Sequence, residues 1–90
     1  MARRSVGYRI EIAPSALREL ERMEKAPRGR IVRAINSLAA DARPANGKKL
    51  KGTADRWRIR VGDYRVVYDI QDDVLLVLVV KIGHRRDVYR

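Results

Sequence analysis

The run Arg56-Trp57-Arg58-Ile59-Arg60-Val61-Gly62-Asp63-Tyr64-Arg65-Val66-Val67-Tyr68-Asp69-Ile70 decides the fold. Trp57, Ile59 and Val61 alternate with Arg56, Arg58 and Arg60, the period of a strand with one face buried, and Gly62-Asp63 then makes a short turn into a second extended run. This predicts a hairpin. Beyond it Gln71-Asp72-Asp73 turns into residues 74–80, seven apolar side chains without a break, which predicts a strand covered on both sides at the middle of a sheet. Working back towards the start, residues 43–53 hold the Pro, Asn, Gly and Lys of a loop. Residues 27–42 place Ile31, Ile35, Leu38 and Ala42 on one stripe at spacings of four, three and four, the pattern of a helix, with Arg28, Arg30, Arg33 and Asp41 outside the stripe. Residues 14–25 predict another helix, opened by Pro14 and apolar at Ala13, Leu17, Leu20 and Met23, and Ala26-Pro27 separates the two. Residues 6–12 alternate again, with Val6, Tyr8, Ile10 and Ile12 on one parity. The order β-α-α-β-β-β is an α+β plan in which a helix hairpin packs on one face of a mostly antiparallel four-stranded sheet.

Ninety residues suit one small domain, residues 1–90, and 46% hydrophobic residues are enough to fold it although 36% are charged. The chain has no cysteine and a single histidine, which excludes disulfides, thiolate sites and a His-rich metal centre, so no metal and no cofactor are expected. The basic start, Met1-Ala2-Arg3-Arg4-Ser5, is not followed by an apolar stretch, and no segment approaches the roughly 18 apolar residues of a membrane span. A soluble, cytoplasmic protein with no membrane partner is expected. Its formal net charge is +10, and 16 of the 21 cations are Arg. Guanidinium forks pair bidentately with phosphate, which makes a nucleic acid the obvious polyanion. Scattered arginines such as Arg18, Arg22 and Arg43 fit a merely solvating surface equally well.

Position within strands separates the two cases. If Trp57, Ile59 and Val61 face the helices, Arg56, Arg58 and Arg60 share the opposite, uncovered face. Like charges in neighbouring same-face positions are unfavourable, so such a row either guards an edge strand against aggregation or binds an anion. Arg65 on the next strand and Lys51 before the row extend the patch, and Tyr64, Tyr68, Tyr89 or Trp57 are candidate stacking groups for RNA bases, Trp57 the weakest because its parity is that of the core. The tail adds a second cluster, Gly83-His84-Arg85-Arg86-Asp87-Val88-Tyr89-Arg90, expected to lie across the sheet beside the Arg strand.

Taken in order, Lys49-Leu50-Lys51-Gly52, Trp57-Arg58-Ile59-Arg60, Asp63-Tyr64-Arg65-Val66-Val67-Tyr68 and Gly83-His84-Arg85-Arg86-Asp87-Val88-Tyr89 resemble the RelE branch of the RelE/ParE toxins of prokaryotic type II toxin–antitoxin systems, over nearly the whole chain. The resemblance implies an endoribonuclease that cuts mRNA in the ribosomal A site and is held inactive by a cognate RelB-like antitoxin. It places Arg58 and Arg60 where RelE has basic residues, commonly Lys, on its second strand; Arg65 at the third-strand Arg; Arg85 at the Arg near the end; and Tyr89 at the terminal catalytic Tyr. Lys51, Arg56, His84 and Arg86 would contact RNA. Two departures stand out. Arg58 and Arg60 cannot readily release a proton, so their role is electrostatic, and the sequence ends one residue after Tyr89, so the C-terminal helix of some relatives is not expected.

The implied reaction is metal-independent attack of the ribose 2′-OH on the adjacent phosphate. Tyr89 would be the base, its phenolate favoured by nearby cations. Arg58, Arg60 and Arg65 would hold the phosphate, and Arg85 or His84 would protonate the leaving oxygen. A ParE-like toxin that inhibits DNA gyrase without nuclease activity is the alternative, and a plain RNA-binding module comes third.

Overall fold

In a computed structural model, described over residues 7–52 and 55–84, the chain forms β1 (Arg9–Ile12), α1 (Pro14–Arg22), α2 (Lys25–Ser37), β2 (Lys48–Lys49), β3 (Arg56–Val61), β4 (Tyr64–Gln71), a single 3₁₀ turn (Asp72–Val74) and β5 (Leu76–His84). The sheet has the order β1-β5-β4-β3-β2, with β1 parallel to β5 and every other pair antiparallel. The α+β plan is the one expected, with two helices on one face of the sheet, but there are five strands rather than four. The additional strand is Lys48-Lys49, inside the expected loop: two residues are too few to show a period, and pairing with Trp57 and Arg58 creates the strand.

The helix boundaries shift for a local reason. Pro14 opens α1 where its missing N–H has no helical partner to lose. The break between the helices falls at Met23 and Glu24, and Pro27 sits in the first turn of α2, where it is tolerated for the same reason. On α2 the spacing holds, Ile31 and Ile35 with Leu38 beyond them facing the sheet, whereas on α1 it is Ala16 and Leu20 that turn inwards and the expected Leu17 is exposed; these buried side chains pack with Ile59, Val66, Tyr68, Ile70, Val77, Val79 and Ile82. Burial of each such aliphatic side chain is worth roughly 1.5–3 kcal/mol before entropy is counted.

The seven-residue apolar run divides. Val74 belongs to the 3₁₀ turn and Leu75 takes the left-handed region at φ 51°; both are exposed, and the strand begins only at Leu76. It then continues through Lys81 to His84, residues expected to be tail. A bulge opposite Val67 and Tyr68 skips Val80, so Val77 and Val79 before it and Ile82 after it all face the core. Among the described residues no helix is long and apolar enough to cross a membrane.

Candidate nucleic-acid interface

Directly paired residues share a face, so the register sorts the side of the sheet away from the helices into rows. At one end Arg60 stands opposite Arg65, which stands opposite Gly83. The next row is Lys48, Arg58, Val67 and Lys81. The row after that is Arg56, Asp69, Leu78 and Glu11, and the last is Gln71, Leu76 and Arg9. The first two rows contain five cations and no carboxylate. The third contains two carboxylates, and there Arg56 Nε and Nη2 donate to Asp69 Oδ1 and Oδ2 at 2.6 and 2.9 Å. That face is therefore polarised along the strands, cationic at the end where β3 turns into β4.

The expected uncovered Arg row needs correction. Arg60 is exposed, but Arg58 keeps 8% of its surface and Arg65 5%. Both lie inside the sheet, Arg58 between Lys48 and Val67 and Arg65 between Arg60 and Gly83, and the long apolar stem of Arg allows such coverage. Guanidinium groups taken partly out of water interact more strongly with an anion than exposed ones do. Arg56 is committed to Asp69, whose hydrogen bonds raise its pKa further.

Other expected residues are dispersed. Lys51 is exposed beyond β2, at the Arg56 end of β3 and away from Arg60 and Arg65. His84 pairs with Tyr64, one step out of parity with Gly83 and Arg65, and its ring meets Tyr64 edge-on at 5.6 Å. His84 therefore stands on the row of Val61 and Tyr64 rather than among the arginines. Tyr68 is withdrawn as a stacking group: it is fully buried, donates its hydroxyl to the Ala42 carbonyl at 2.8 Å, and has its pKa pushed up to about 12 by burial. Trp57 is half-buried, donating Nε1–H to Asp55 at 2.7 Å. Arg85, Arg86 and Tyr89 lie outside the described residues.

Two groups escaped the sequence. Lys48 and Lys81 join the Arg58 row because a two-residue strand and an extension of β5 place them there; neither leaves a periodic signal. The second group is centred on Arg43, whose guanidinium bonds Asp55 and, at 2.9 Å, Asp72, while it lies 5.9 Å from the centre of the Trp57 ring. Tyr8 donates its hydroxyl to Asp72. Arg43, then Tyr8, hold the Asp72 carboxyl below the usual range, and the same contact with Asp72 raises the Tyr8 phenol. This network fastens the loop before β2 to the start of β3 and to the 3₁₀ turn, 29 residues further along the chain. A lone Arg in a loop gives no sign of it.

The chain is thus a small, strongly basic α+β domain that gathers cations at one end of the sheet face away from its helices. A family model described as the ParE toxin of type II toxin–antitoxin systems, parDE, matches residues 10–89. The chain belongs to that family and, within the RelE/ParE superfamily, to its RelE branch: it is a RelE-like type II toxin. A putative RelE-like toxin protein of Escherichia coli is 29% identical over 86 residues, 91% of this chain and 90% of the relative. Among solved structures, a chain of the archaeal RelE–RelB complex from Pyrococcus horikoshii OT3 is 28% identical and superposes with a TM-score of 0.81, over 90% of this chain and 98% of that one. The isolated Escherichia coli RelE toxin is 26% identical with a TM-score of 0.77, over 91% and 90%.

Proposed function

We propose that this toxin is a ribosome-dependent endoribonuclease that cuts mRNA in the A site, and that a RelB-like acidic antitoxin holds it inactive. The observation that carries the reading is Arg60 directly opposite Arg65, with buried Arg58 in the adjoining row. Five cations, Arg58, Arg60, Arg65, Lys48 and Lys81, share two rows of that face with no carboxylate in those rows, which fits a ligand that brings negative charge to that place. The RelE–RelB complexes among the structural relatives support the antitoxin as partner.

In the reaction the ribose 2′-oxygen attacks the adjacent phosphorus and the bond from phosphorus to the 5′-oxygen breaks, leaving a 2′,3′-cyclic phosphate and a 5′-OH. Arg58, Arg60 and Arg65 face the two non-bridging oxygens, whose charge grows in the phosphorane; fixed guanidinium groups favour that state over the ground state. Tyr89 takes the 2′-OH proton, and Arg85 stabilises the departing 5′-oxygen and helps to protonate it; these roles rest on the motif match. His84, on the other face of the sheet from Arg60 and Arg65, has no part in the step. The chemistry asks for charge and orientation, and the ribosome supplies the orientation by fixing the mRNA.

Primer extension on mRNA in a translating extract tests this reading. Discrete cuts inside codons on addition of toxin, suppressed by the antitoxin, are expected. Intact mRNA together with arrested gyrase would overturn it in favour of a ParE-like toxin without nuclease activity.

A further inference from the structure

The bulge at Val80 decides where Lys81 points. Before it β5 pairs Val79 with Tyr68, after it Lys81 with Val67, and the register shifts by one residue between the two. Side chains alternate along a strand, so an unbroken β5 would send Lys81 to the face of Val77 and Val79, both fully buried in the core. The bulge re-aims it. Lys81 stands exposed on the open face instead, in the row of Val67, Arg58 and Lys48 and diagonal to Arg65, which pairs with Gly83. The core gains from the same bulge, since Ile82 turns inwards. It does not ask for a cation at 81, where any polar residue would suit a solvated position.

Lys81 closes a ring around one short side chain. Val67, 7% exposed, has Arg58 beside it on β3, Lys81 beside it on β5 and Arg65 two residues before it on its own strand. Neighbouring strands lie about 4.8 Å apart, so the backbones at Arg58 and Lys81 are roughly 10 Å from each other, and both long side chains can reach one phosphate held above Val67. The members of the ring differ chemically. A guanidinium gives up its proton only above about 12, so Arg58, Arg60 and Arg65 hold charge but are poor proton sources, and Arg85 shares that limit. An alkylammonium parts with a proton far more readily and belongs to the groups that serve as general acids. Lys48 is in the same row but on the edge strand, on the far side of Arg58 from Arg65 and β5. Asp69, in the adjoining row, is engaged by Arg56, and Lys81 enters none of the ion pairs among the described residues.

We infer that Lys81 is the catalytic acid of the proposed cleavage, giving its ammonium proton to the 5′-oxygen as the bond from phosphorus to that oxygen breaks. The inference rests on the nuclease reading above and adds the proton source that the arginines do not offer. The electron pair of the broken bond stays on the oxygen, takes the Nζ proton and departs as 5′-OH. Lys81 is left as the neutral amine and regains a proton from water. The 2′-OH proton goes to the Tyr89 phenolate, and Arg85 steadies the departing oxygen by charge.

The test replaces the departing oxygen by sulfur. An mRNA with a single 5′-bridging phosphorothiolate, placed at the linkage that primer extension identifies, loses a thiolate, which leaves without help from an acid. Single-turnover cleavage of the oxygen and the sulfur mRNA on ribosomes is measured for the wild type, Lys81→Ala, Lys81→Arg and Arg58→Ala. On the oxygen substrate Lys81→Ala should lose roughly 10²–10⁴-fold, the usual contribution of a general acid. Lys81→Arg keeps the charge but not the readily released proton and should lose nearly as much. On the sulfur substrate both should return close to the wild-type rate, whereas Arg58→Ala should stay slow on both, because the phosphorane charge is common to them. Undiminished cleavage of the oxygen substrate by Lys81→Ala overturns the inference. So does an equal loss on both substrates or full rescue by Arg, either of which would make Lys81 a phosphate-holding cation. If the wild type cuts neither mRNA, the nuclease reading falls and the inference with it; if the wild type cuts both and only the Lys81 pattern fails, the nuclease reading stands without it.

Discussion

Replacing Arg60 by Gln should make the protein more stable and less able to bind RNA. Arg60 is directly opposite Arg65 across β3 and β4, and Arg60 is exposed, so the repulsion acts largely through water. Two unit charges about 7 Å apart in water repel by about 0.6 kcal/mol, within the range of roughly 0.2–1 kcal/mol for opposed cross-strand pairs. For a domain of this size each kcal/mol moves Tm by roughly 4–8 °C, so Arg60→Gln should raise it by about 2–5 °C at low salt. Near 1 M salt, where the screening length is about 3 Å, the gain should vanish. Calorimetry at both salt concentrations reads this directly. In parallel, the salt slope of RNA binding should become shallower by roughly 0.7–0.9, one phosphate contact, and cleavage should slow. A Tm that falls, with RNA binding unaltered, would mean that Arg60 is a structural surface residue and would refute the argument.

Tyr68→Phe removes the hydroxyl that satisfies the buried Ala42 carbonyl and should cost about 1–3 kcal/mol, seen as a lower denaturation midpoint. Because the folded phenol titrates at about 12 and an unfolded one near 10, wild-type stability should hold below pH 10 and fall between 10 and 12; the Phe variant should lose that step in pH-dependent melts. Arg43→Gln should release the Asp72 carboxyl towards its ordinary value. The wild-type stability that this carboxylate supplies is present above pH 4 and lost as pH falls through its depressed folded pKa, so acid titration of Tm should be flatter in the variant, and Trp57 fluorescence should shift as the guanidinium leaves its ring. Tyr89→Phe should bind ribosomes nearly as well yet cleave far more slowly in a single-turnover assay; wild-type cleavage by that variant would remove Tyr89 from the role of base. Chelation of divalent ions should leave cleavage standing as long as the ribosome stays intact, since Arg58, Arg60 and Arg65 carry the charge that a metal would otherwise supply; loss of cleavage on intact ribosomes would refute the metal-free scheme.

What the sequence made legible follows from period. Ile31, Ile35 and Leu38 at helical spacing, and Trp57, Ile59 and Val61 at strand spacing, identify buried faces because each repeats often enough to be counted, and all face the core or its margin. The parallel pairing of Arg9 with Leu76 joins residues 67 positions apart, and only the closed sheet expresses it. The bulge at Val80 was illegible for the opposite reason: in an unbroken apolar run, a change of parity alters no residue type. Tyr68 misled because a phenol reads as polar in a strand, whereas its ring fills the core and its single polar atom reaches a backbone carbonyl. The Arg residues of β3 were legible as a row but not in their burial, which differs along one strand from half-buried Arg56 through buried Arg58 to exposed Arg60 and so cannot be read from parity.

That burial changes what the arginines can do. A phosphate beside three exposed arginines would meet charges already screened by water, and surface ion pairs of that sort are worth little. Here Arg60 is open to solvent, whereas Arg58 and Arg65 sit within the sheet, so an incoming phosphate meets one mobile cation and two whose positions are held by β-strand register. Fixed donors need not reorganise as charge develops on the phosphorane, which is the condition for favouring a transition state over a ground state. The acid-containing row of Arg56 and Asp69 lies one step beyond Arg58 and ends the cationic zone. On the proposed function, an RNA backbone would be directed towards the β3–β4 turn, where Arg60 and Arg65 stand on one side of Gly62 and Arg30 on the other. Reversing that polarity, by exchanging Asp69 with Arg60 in a double variant, should keep the net charge and abolish cleavage; retention of cleavage would show that total charge, and not its position in the register, brings the substrate in.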